Sequence, residues 1–528
     1  MSDSYENLII KKLIQKKVKT TEELFALLRK FSKEFKKPFP SNIELLKAYR
    51  DLIKNSKIKT DPALENLLKT RKVRTLSGIA SITVITKPYP CPGKCLYCPD
   101  ELEMPKSYLA NEPACMRAVL TKFDPYKQVS ARLESLKLTG HSTDKIELIV
   151  LGGTWSAYPK NYQTWFIKRC FDACNYKTAK NLKEAQKLNE KAKHRIIGLT
   201  LETRPDYVTP EEIQRMRWLG CTRVELGIQS IYDDVLKYNK RGHGIAATIR
   251  ATELLKNAGM KVTYHMMLNL PDSTPGKDEE MFEELFFNPD FQPDQLKIYP
   301  CAVLQTSPLY KLWKQGKYKP YSDKQLIDLL IKIKKKIPPY VRIIRIIRDI
   351  PSQSIVAGNK ITNLRQIIAD RMKKESKTCC CIRCREPREK IAYTEPNQGA
   401  KKLKLFRQDY SASNGKEIFL SYEDPQRKNI YAFLRLRITN DWTLPILRNS
   451  TLIRELHTYG QVVPIKSKSK KAAQHKGLGK KLMAEAEKIV ARETDFKQIA
   501  IISGIGVREY YWKLGYKLKD EYMIKKLK

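Results

Sequence analysis

The sequence predicts an α/β chain built around a partial parallel (βα) barrel, with a small basic helical domain before it and an α+β domain after it. Three observations predict this. Between residues 78 and 347, seven apolar, β-rich runs alternate with amphipathic helical stretches, which implies a parallel sheet with covered faces. Before residue 75 the apolar residues recur at helical spacing. Beyond residue 409 the runs read as antiparallel strands separated by polar turns. At 528 residues the chain exceeds what one core supports, so several domains are expected.

Taken in order, residues 1–75 form the basic helical domain. Leu24, Leu27, Leu28 and Phe31 lie on one helical face, as do Leu45, Leu46, Tyr49 and Leu52, and the segment holds 19 basic against 9 acidic residues. A leader of this kind suits RNA docking; an ordinary solvated helical face is the alternative. Residues 76–348 form the barrel, with strands expected at 79–86, 146–151, 196–201, 223–228, 261–267, 295–299 and 341–347 and helices such as 211–219, 245–257 and 323–336. In such folds the active site lies at the C-terminal ends of the strands. Residues 349–400 are irregular and read as a linker. Residues 401–528 form the last domain, with strands at 417–422, 430–438, 498–503 and 521–527 and helices at 479–492 and 507–514. Lys466 to Lys471 is a short basic run that reads as a solvated loop.

Hydrophobic residues make up 42% and charged residues 30%, which excludes a disordered chain. No apolar run approaches the roughly 20 residues of a membrane span, and Met1 to Lys19 is polar and lysine-rich, so a cytoplasmic protein is expected. Lysine and arginine number 100 against 57 acids, a net charge of +43. Such an excess points to a polyanionic partner, nucleic acid above all; a lysine-rich thermophile surface would carry matching glutamate.

The twelve cysteines cluster, which in a cytosolic chain favours metal over disulfides. Cys91, Cys95 and Cys98 stand in Pro90-Cys91-Pro92-Gly93-Lys94-Cys95-Leu96-Tyr97-Cys98-Pro99. Three thiolates from one loop suit zinc or an iron–sulfur centre. Zinc would need a fourth ligand nearby, whereas a 4Fe–4S cluster held by three ligands keeps one iron open for a small chelating molecule. The spacing, the aromatic Tyr97 and the position after the first strand resemble the radical S-adenosylmethionine (SAM) superfamily. That resemblance implies a 4Fe–4S cluster on Cys91, Cys95 and Cys98, with SAM on the open iron. It also implies that Gly152 and Gly153 let the backbone approach SAM, and that Glu202 and Arg204, with Gln229, contact its ribose or carboxylate.

Near the C-terminus, Gln474-His475-Lys476-Gly477-Leu478-Gly479 matches a loop in which glycines admit a pyrophosphate to a helix N-terminus. With strands before, a helix after and Glu509 to Tyr516 beyond, this order resembles the GCN5-related N-acetyltransferase (GNAT) fold. The resemblance implies acetyl-CoA held by Gln474, His475, Lys476, Gly477, Leu478 and Gly479, and by Glu455, Leu456, His457 and Thr458 on the adjoining strand. It makes Tyr510 and Tyr511 the candidates beside the thioester sulfur.

A radical-SAM domain followed by an acetyltransferase domain closely resembles the family of Elongator catalytic subunits, in its archaeal stand-alone form, over nearly the whole chain. Asn111-Glu112-Pro113, Gly152-Gly153-Thr154, Glu202 to Asp206, Arg223 to Gly227 and Cys379 to Arg385 carry the likeness. It implies installation of a carboxymethyl-type group on C5 of the tRNA wobble uridine, with the anticodon region of tRNA as substrate, an external electron donor and a possible homodimer. A radical taking hydrogen from the acetyl methyl group explains why both domains are needed. The family assigns acetyl-CoA use to Lys160. Cys379, Cys381 and Cys384 resemble its C-x-C-x-x-C segment and imply a zinc clamp, with Cys301 or a histidine as fourth ligand. One departure is that Met267-Leu268-Asn269-Leu270-Pro271-Asp272 lacks the glycines relatives carry there. The rival readings are a protein lysine acetyltransferase with a structural iron–sulfur domain and an RNA-binding scaffold.

Overall fold

The computed structural model describes residues 4–55, 57–70, 77–387, 403–459 and 477–527. Gln474, His475 and Lys476, and the basic run at 466–471, lie outside the described residues.

Four helices open the chain: Tyr5–Gln15, Thr21–Phe35, Asn42–Lys54 and Pro62–Leu68. Thr20 with Glu23 and Ser41 with Glu44 form capping boxes at the second and third, which satisfy the free N–H groups of the first turn. Their apolar faces close on a core of their own, with Ile9, Leu28, Leu45 and Leu68 buried. The bundle is tied to the barrel where Arg50 donates to the Lys137 carbonyl (2.5 Å).

The barrel strands are β1 (Ala80–Ile85), β2 (Lys145–Leu151), β3 (Arg195–Thr203), β4 (Arg223–Gln229), β5 (Lys261–Leu268) and β6 (Gln295–Pro300). A short β7 (Val303–Leu304) follows, then β8 (Arg342–Arg345) and β9 (Ile355–Ala357). The seven expected strands pair in the order β1-β2-β3-β4-β5-β6-β8, all parallel. No pairing joins β1 to β8, so the barrel is partial. β7 and β9 form a separate antiparallel ribbon, β7 within the expected barrel and β9 in the stretch expected to be irregular.

A second seven-stranded sheet follows: β10 (Lys404–Ala412), β11 (Gly415–Glu423), β12 (Ile430–Ile438), β13 (Ser450–Thr458), β14 (Gln498–Ile501), β15 (Lys517–Lys519) and β16 (Tyr522–Lys526). Its order is β10-β11-β12-β13-β14-β16-β15. Only β13 and β14 run parallel, and they pair over Ser450 to Ile453 alone. Beyond Ile453 β13 continues to Thr458, while β14 ends at Ile501. The helix Leu478–Glu493 packs over this sheet, burying Leu482, Met483 and Ala486.

The C-terminal domain is not a separate bead. One apolar core runs from the barrel into it, joining Leu226 and Tyr264 to Phe433, Leu452, Ile505 and Tyr522. The contact is made at the N-terminal ends of the barrel strands. Arg454 donates to Asp294 (2.9 Å), one residue before β6. Arg195, at the start of β3, pairs with Glu509 (3.0 Å), and Arg435 donates to the Tyr340 carbonyl (2.6 Å) before β8. Among the described residues no helix is long and apolar enough to cross a membrane.

Candidate functional site

Two groups of expected residues assemble at opposite ends of the barrel. At the C-terminal ends of the strands, the loop after β1 presents Cys91, Cys95 and Cys98, and a cavity of about 670 Å³ opens beneath it. Gly153, Glu202, Arg204 and Gln229 line the cavity, as the strand-end rule requires.

Gly152 does not line it. A Cβ there would lie 1.8 Å from Thr86 Oγ1, so packing against the end of β1, not approach to a cofactor, explains that glycine. Glu202 is braced by the Tyr108 hydroxyl (2.7 Å). Arg204 is buried and gives Nε and Nη2 to Asp206 (2.9 and 2.8 Å), while its Nη1 has no partner among the described residues. Gln229 has φ +77°. The departure at 267–272 resolves simply: Asn269 and Asp272 have φ +60° and +70°, a conformation Asn and Asp adopt at least cost after glycine.

The three thiols suit an iron–sulfur cluster better than one zinc ion. Thiolates around a single zinc sit about 3.8 Å apart, from Zn–S bonds of about 2.3 Å. Among the described residues only Cys379, Cys381 and Cys384 bring three ligand atoms within 4.8 Å of one another. Cys91 stands off beside Thr154, 4.0 Å from its Oγ1. Cys95 accepts from Cys98 and faces the guanidinium of Arg241, and these two hold its thiol down to about 5. Arg241 is buried, donating to Cys95 Sγ (3.5 Å) and to the Gly227 carbonyl (3.2 Å).

Below this rim the lumen is charged. Glu225 accepts from His265 (2.8 Å) and from Lys297. His265 Nδ1 lies 3.6 Å from Glu202, and Arg223 pairs with Glu147 at 2.6 Å. Burial opposes ionisation of Glu225, but Lys297 and His265 outweigh it and hold the carboxyl well below its usual range. Tyr108, Arg241, His265 and Lys297 went unremarked in the sequence. A signal was present: Arg223 and Glu225, Thr263 and His265, and Lys297 and Tyr299 are polar at every second position of parallel strands, which puts them on one face.

At the other end the second group assembles around β13, whose alternation divides its side chains. Glu455 and His457 face the barrel: Glu455 pairs with Lys261 (3.3 Å) and Arg435 (3.0 Å), and His457 donates to the Ser77 carbonyl (3.1 Å). Leu456 and Thr458 face the helix start. A Cβ on Gly479 would lie 3.7 Å from Thr458 Oγ1, 3.9 Å from Leu456 and 3.0 Å from the Tyr510 hydroxyl. Gly477 caps that helix at φ +72° with open space beside it. Leu456, Thr458, Gly479 and the Tyr510 hydroxyl come together at this helix N-terminus, where free N–H groups suit an anion. Glu455 and His457 turn away from it, and Tyr511 is buried in the domain core with Leu482 and Tyr516.

Two expected residues stand apart from the groups described above. Lys160 begins the helix Lys160–Asn175 after β2. Its side chain is exposed, its carbonyl accepts from Arg215, and it does not line the cavity. Cys301 is not with the second cysteine group. It is buried among Cys95, Val303, Leu309 and Tyr318, and burial pushes its thiol up to about 12. The group Cys379, Cys381 and Cys384 has no fourth such ligand among the described residues, and Lys334 donates to Cys384 (3.5 Å).

Comparison with known proteins agrees with this geometry. The Radical SAM superfamily profile matches residues 88–285, and the Radical SAM C-terminal domain profile residues 293–374. A tRNA uridine(34) acetyltransferase of Methanocaldococcus infernus is 47% identical over 500 residues, covering 92% of each chain. Elongator complex protein 3 of Homo sapiens is 41% identical over 476 residues, covering 87% of this chain and 86% of its own. The structure of an archaeal Elongator protein 3 from Methanocaldococcus infernus, lacking its N-terminus, superposes with a TM-score of 0.76 at 45% identity, over 85% of this chain and all of that one. With a cysteine loop above a partial barrel and a second, mostly antiparallel sheet below it, this chain is a radical-SAM enzyme and belongs to the family of tRNA uridine(34) acetyltransferases and Elongator complex protein 3.

Proposed function

We propose that this enzyme converts the wobble uridine of tRNA, uridine(34), to 5-carboxymethyluridine, using acetyl-CoA as the source of the two-carbon group. The relatives' names supply the substrate. One observation of the fold carries the reading: the lumen cavity runs from the cysteine loop down to Ser77 and Arg342, and the Ser77 carbonyl is 3.1 Å from His457 on β13. The strand that would carry the acyl donor on its Leu456 and Thr458 face thus contacts, through His457 on its opposite face, a residue that lines this cavity.

In this reading Cys91, Cys95 and Cys98 hold a 4Fe–4S cluster, and Gly153, Glu202, Arg204 and Gln229 hold SAM. Together, when bound, these groups supply a radical able to take hydrogen from the acetyl methyl. The protein's part is positioning. Tyr108 fixes Glu202, and Asp206 fixes Arg204 while leaving Nη1 free to meet an anionic group. Arg223, Lys297 and Arg342 in the lumen favour an anionic or strongly polar guest. Leu456, Thr458, Gly477, Gly479 and Tyr510 seat the acyl donor, with Gln474, His475 and Lys476 completing the pyrophosphate loop. Cys379, Cys381 and Cys384 hold a structural zinc that fastens the segment after β9.

The test is anaerobic reconstitution with SAM, a reductant, tRNA and acetyl-CoA labelled on the methyl carbon, followed by mass spectrometry of the nucleosides. Labelled 5-carboxymethyluridine at the wobble position is expected, and is lost in Cys95→Ser. SAM-independent acetylation of protein lysines with unmodified tRNA would overturn the proposal.

A further inference from the structure

The cysteine loop has a second, outward side. Gly93 and Lys94 there join Lys237, Lys240 and His243 around a shallow hollow of about 680 Å³. Gly93 lines both this hollow and the barrel cavity. Its amide donates to Cys91 Sγ (3.4 Å), and a Cβ on it would lie 3.5 Å from Cys95 Sγ and 3.7 Å from Cys91 Sγ. Gly93, with Arg204 Nη1 2.6 Å from the place of its missing Cβ, thus joins the wall of the hollow to two of the three thiols.

The hollow is positively charged. Lys94, Lys237 and Lys240 are exposed. Its one carboxylate, on Asp233, accepts the Ile245 amide (2.7 Å). His243 Nε2 has no hydrogen-bond partner. The lysines are fixed to the loop, because the Asn239 carbonyl between them accepts the Leu96 amide (3.2 Å). Positive charge is common on this chain; here it is exposed on the outer side of the loop, with Lys94 next to Cys95 in sequence. The inner side of the loop faces the cavity that SAM and substrate must fill, so an electron carrier has to approach from outside.

We propose that the hollow at Gly93 is the docking site of a small acidic electron-transfer protein, of the flavodoxin or ferredoxin class, that reduces the cluster through this wall. The inference rests on the cluster reading given above. One electron leaves the partner's reduced cofactor and enters the cluster; no bond forms or breaks. Lys94, Lys237 and Lys240 steer the acidic partner, so association should be fast and salt-sensitive.

The experiment uses the full reconstituted chain and Lys237→Glu/Lys240→Glu, which leaves the cysteine loop intact. Cluster bleaching is followed by stopped flow with flavodoxin hydroquinone and, separately, with dithionite; tRNA binding is measured alongside. The double variant should lose about tenfold or more of the flavodoxin rate at low salt, and the parent's salt dependence should disappear with it. The dithionite rate and tRNA affinity should stay within about twofold. An unchanged flavodoxin rate overturns the proposal. So does a loss of tRNA affinity with unchanged reduction, which would assign the lysines to nucleic acid. A parent protein that even dithionite cannot reduce overturns the cluster reading itself.

Discussion

Gly152 has φ +138° and would drive a Cβ to within 1.8 Å of Thr86 Oγ1. Gly152→Ala should therefore destabilise the fold by about 2 kcal/mol or more, read as a fall in Tm of the cluster-free protein. An unchanged Tm would mean that the end of β1 yields easily. Gly153, whose Cβ would meet nothing nearer than 3.7 Å, is the one left to admit a ligand. Spacing alone made Cys91, Cys95 and Cys98 legible, and strand ends made Glu202, Arg204 and Gln229 legible. Arg241 and Tyr108 were not, because they reach Cys95 and Glu202 from 146 and 94 residues away along the chain. Lys160 was drawn in by the family match of Tyr158 to Tyr162 around it, and Cys301 only as one option, beside a histidine, for a fourth ligand.

At the scale of elements, the barrel strands were legible because fully buried parallel strands are unbroken apolar runs. β10 was not: Lys404–Ala412 is an edge strand, half exposed and charged. β13 was read only at its end, because Arg454 and Glu455 interrupt its apolar pattern and are held by Asp294 and Lys261 of the barrel as well as by Glu417 and Arg435 of their own sheet. The helix Ile245–Asn257 carries a comparable cost. Lys256 is fully buried and donates to the Gln292 carbonyl (2.7 Å), and burial lowers its pKa from 10.5 to about 7. Between these values the unfolded chain holds a proton that the folded chain has released, so stability rises with pH across that window. The penalty is complete below the lower value. Lys256→Met should flatten the rise, worth at most about 1.4 kcal/mol per pH unit, when urea unfolding is compared at pH values of about 7 and 9. An equal slope in both proteins would show that Lys256 stays charged in the fold.

For the whole molecule, the expected boundary near residue 400 marks a change of fold but not of core. Arg454 is fully buried and serves both sides of it, reaching Asp294 of the barrel and Glu417 of the second sheet (3.0 Å). Arg454→Met would take the nearer arginine from Asp294 and one of two from Glu417, leaving them Arg435 (3.6 Å) and Arg437 (3.1 Å), and should cost about 3 kcal/mol. Thermal unfolding should show the loss in one transition that includes both domains. Two separate transitions, with only the C-terminal one shifted, would contradict a common core. Sequence period reported the folds correctly and could not report this joint, because it records which side chains are buried along an element and not what buries them.

That joint has a consequence for how the chain comes into being. Residues up to 387 leave the ribosome before β11 to β16 exist. At 5–20 residues per second the remainder takes on the order of ten seconds. Through that interval the nascent barrel presents Leu226 and Tyr264 without the partner core that later adjoins them, and Asp294 without its arginine. Birth, rather than catalysis, is then the moment when this enzyme is most exposed to aggregation.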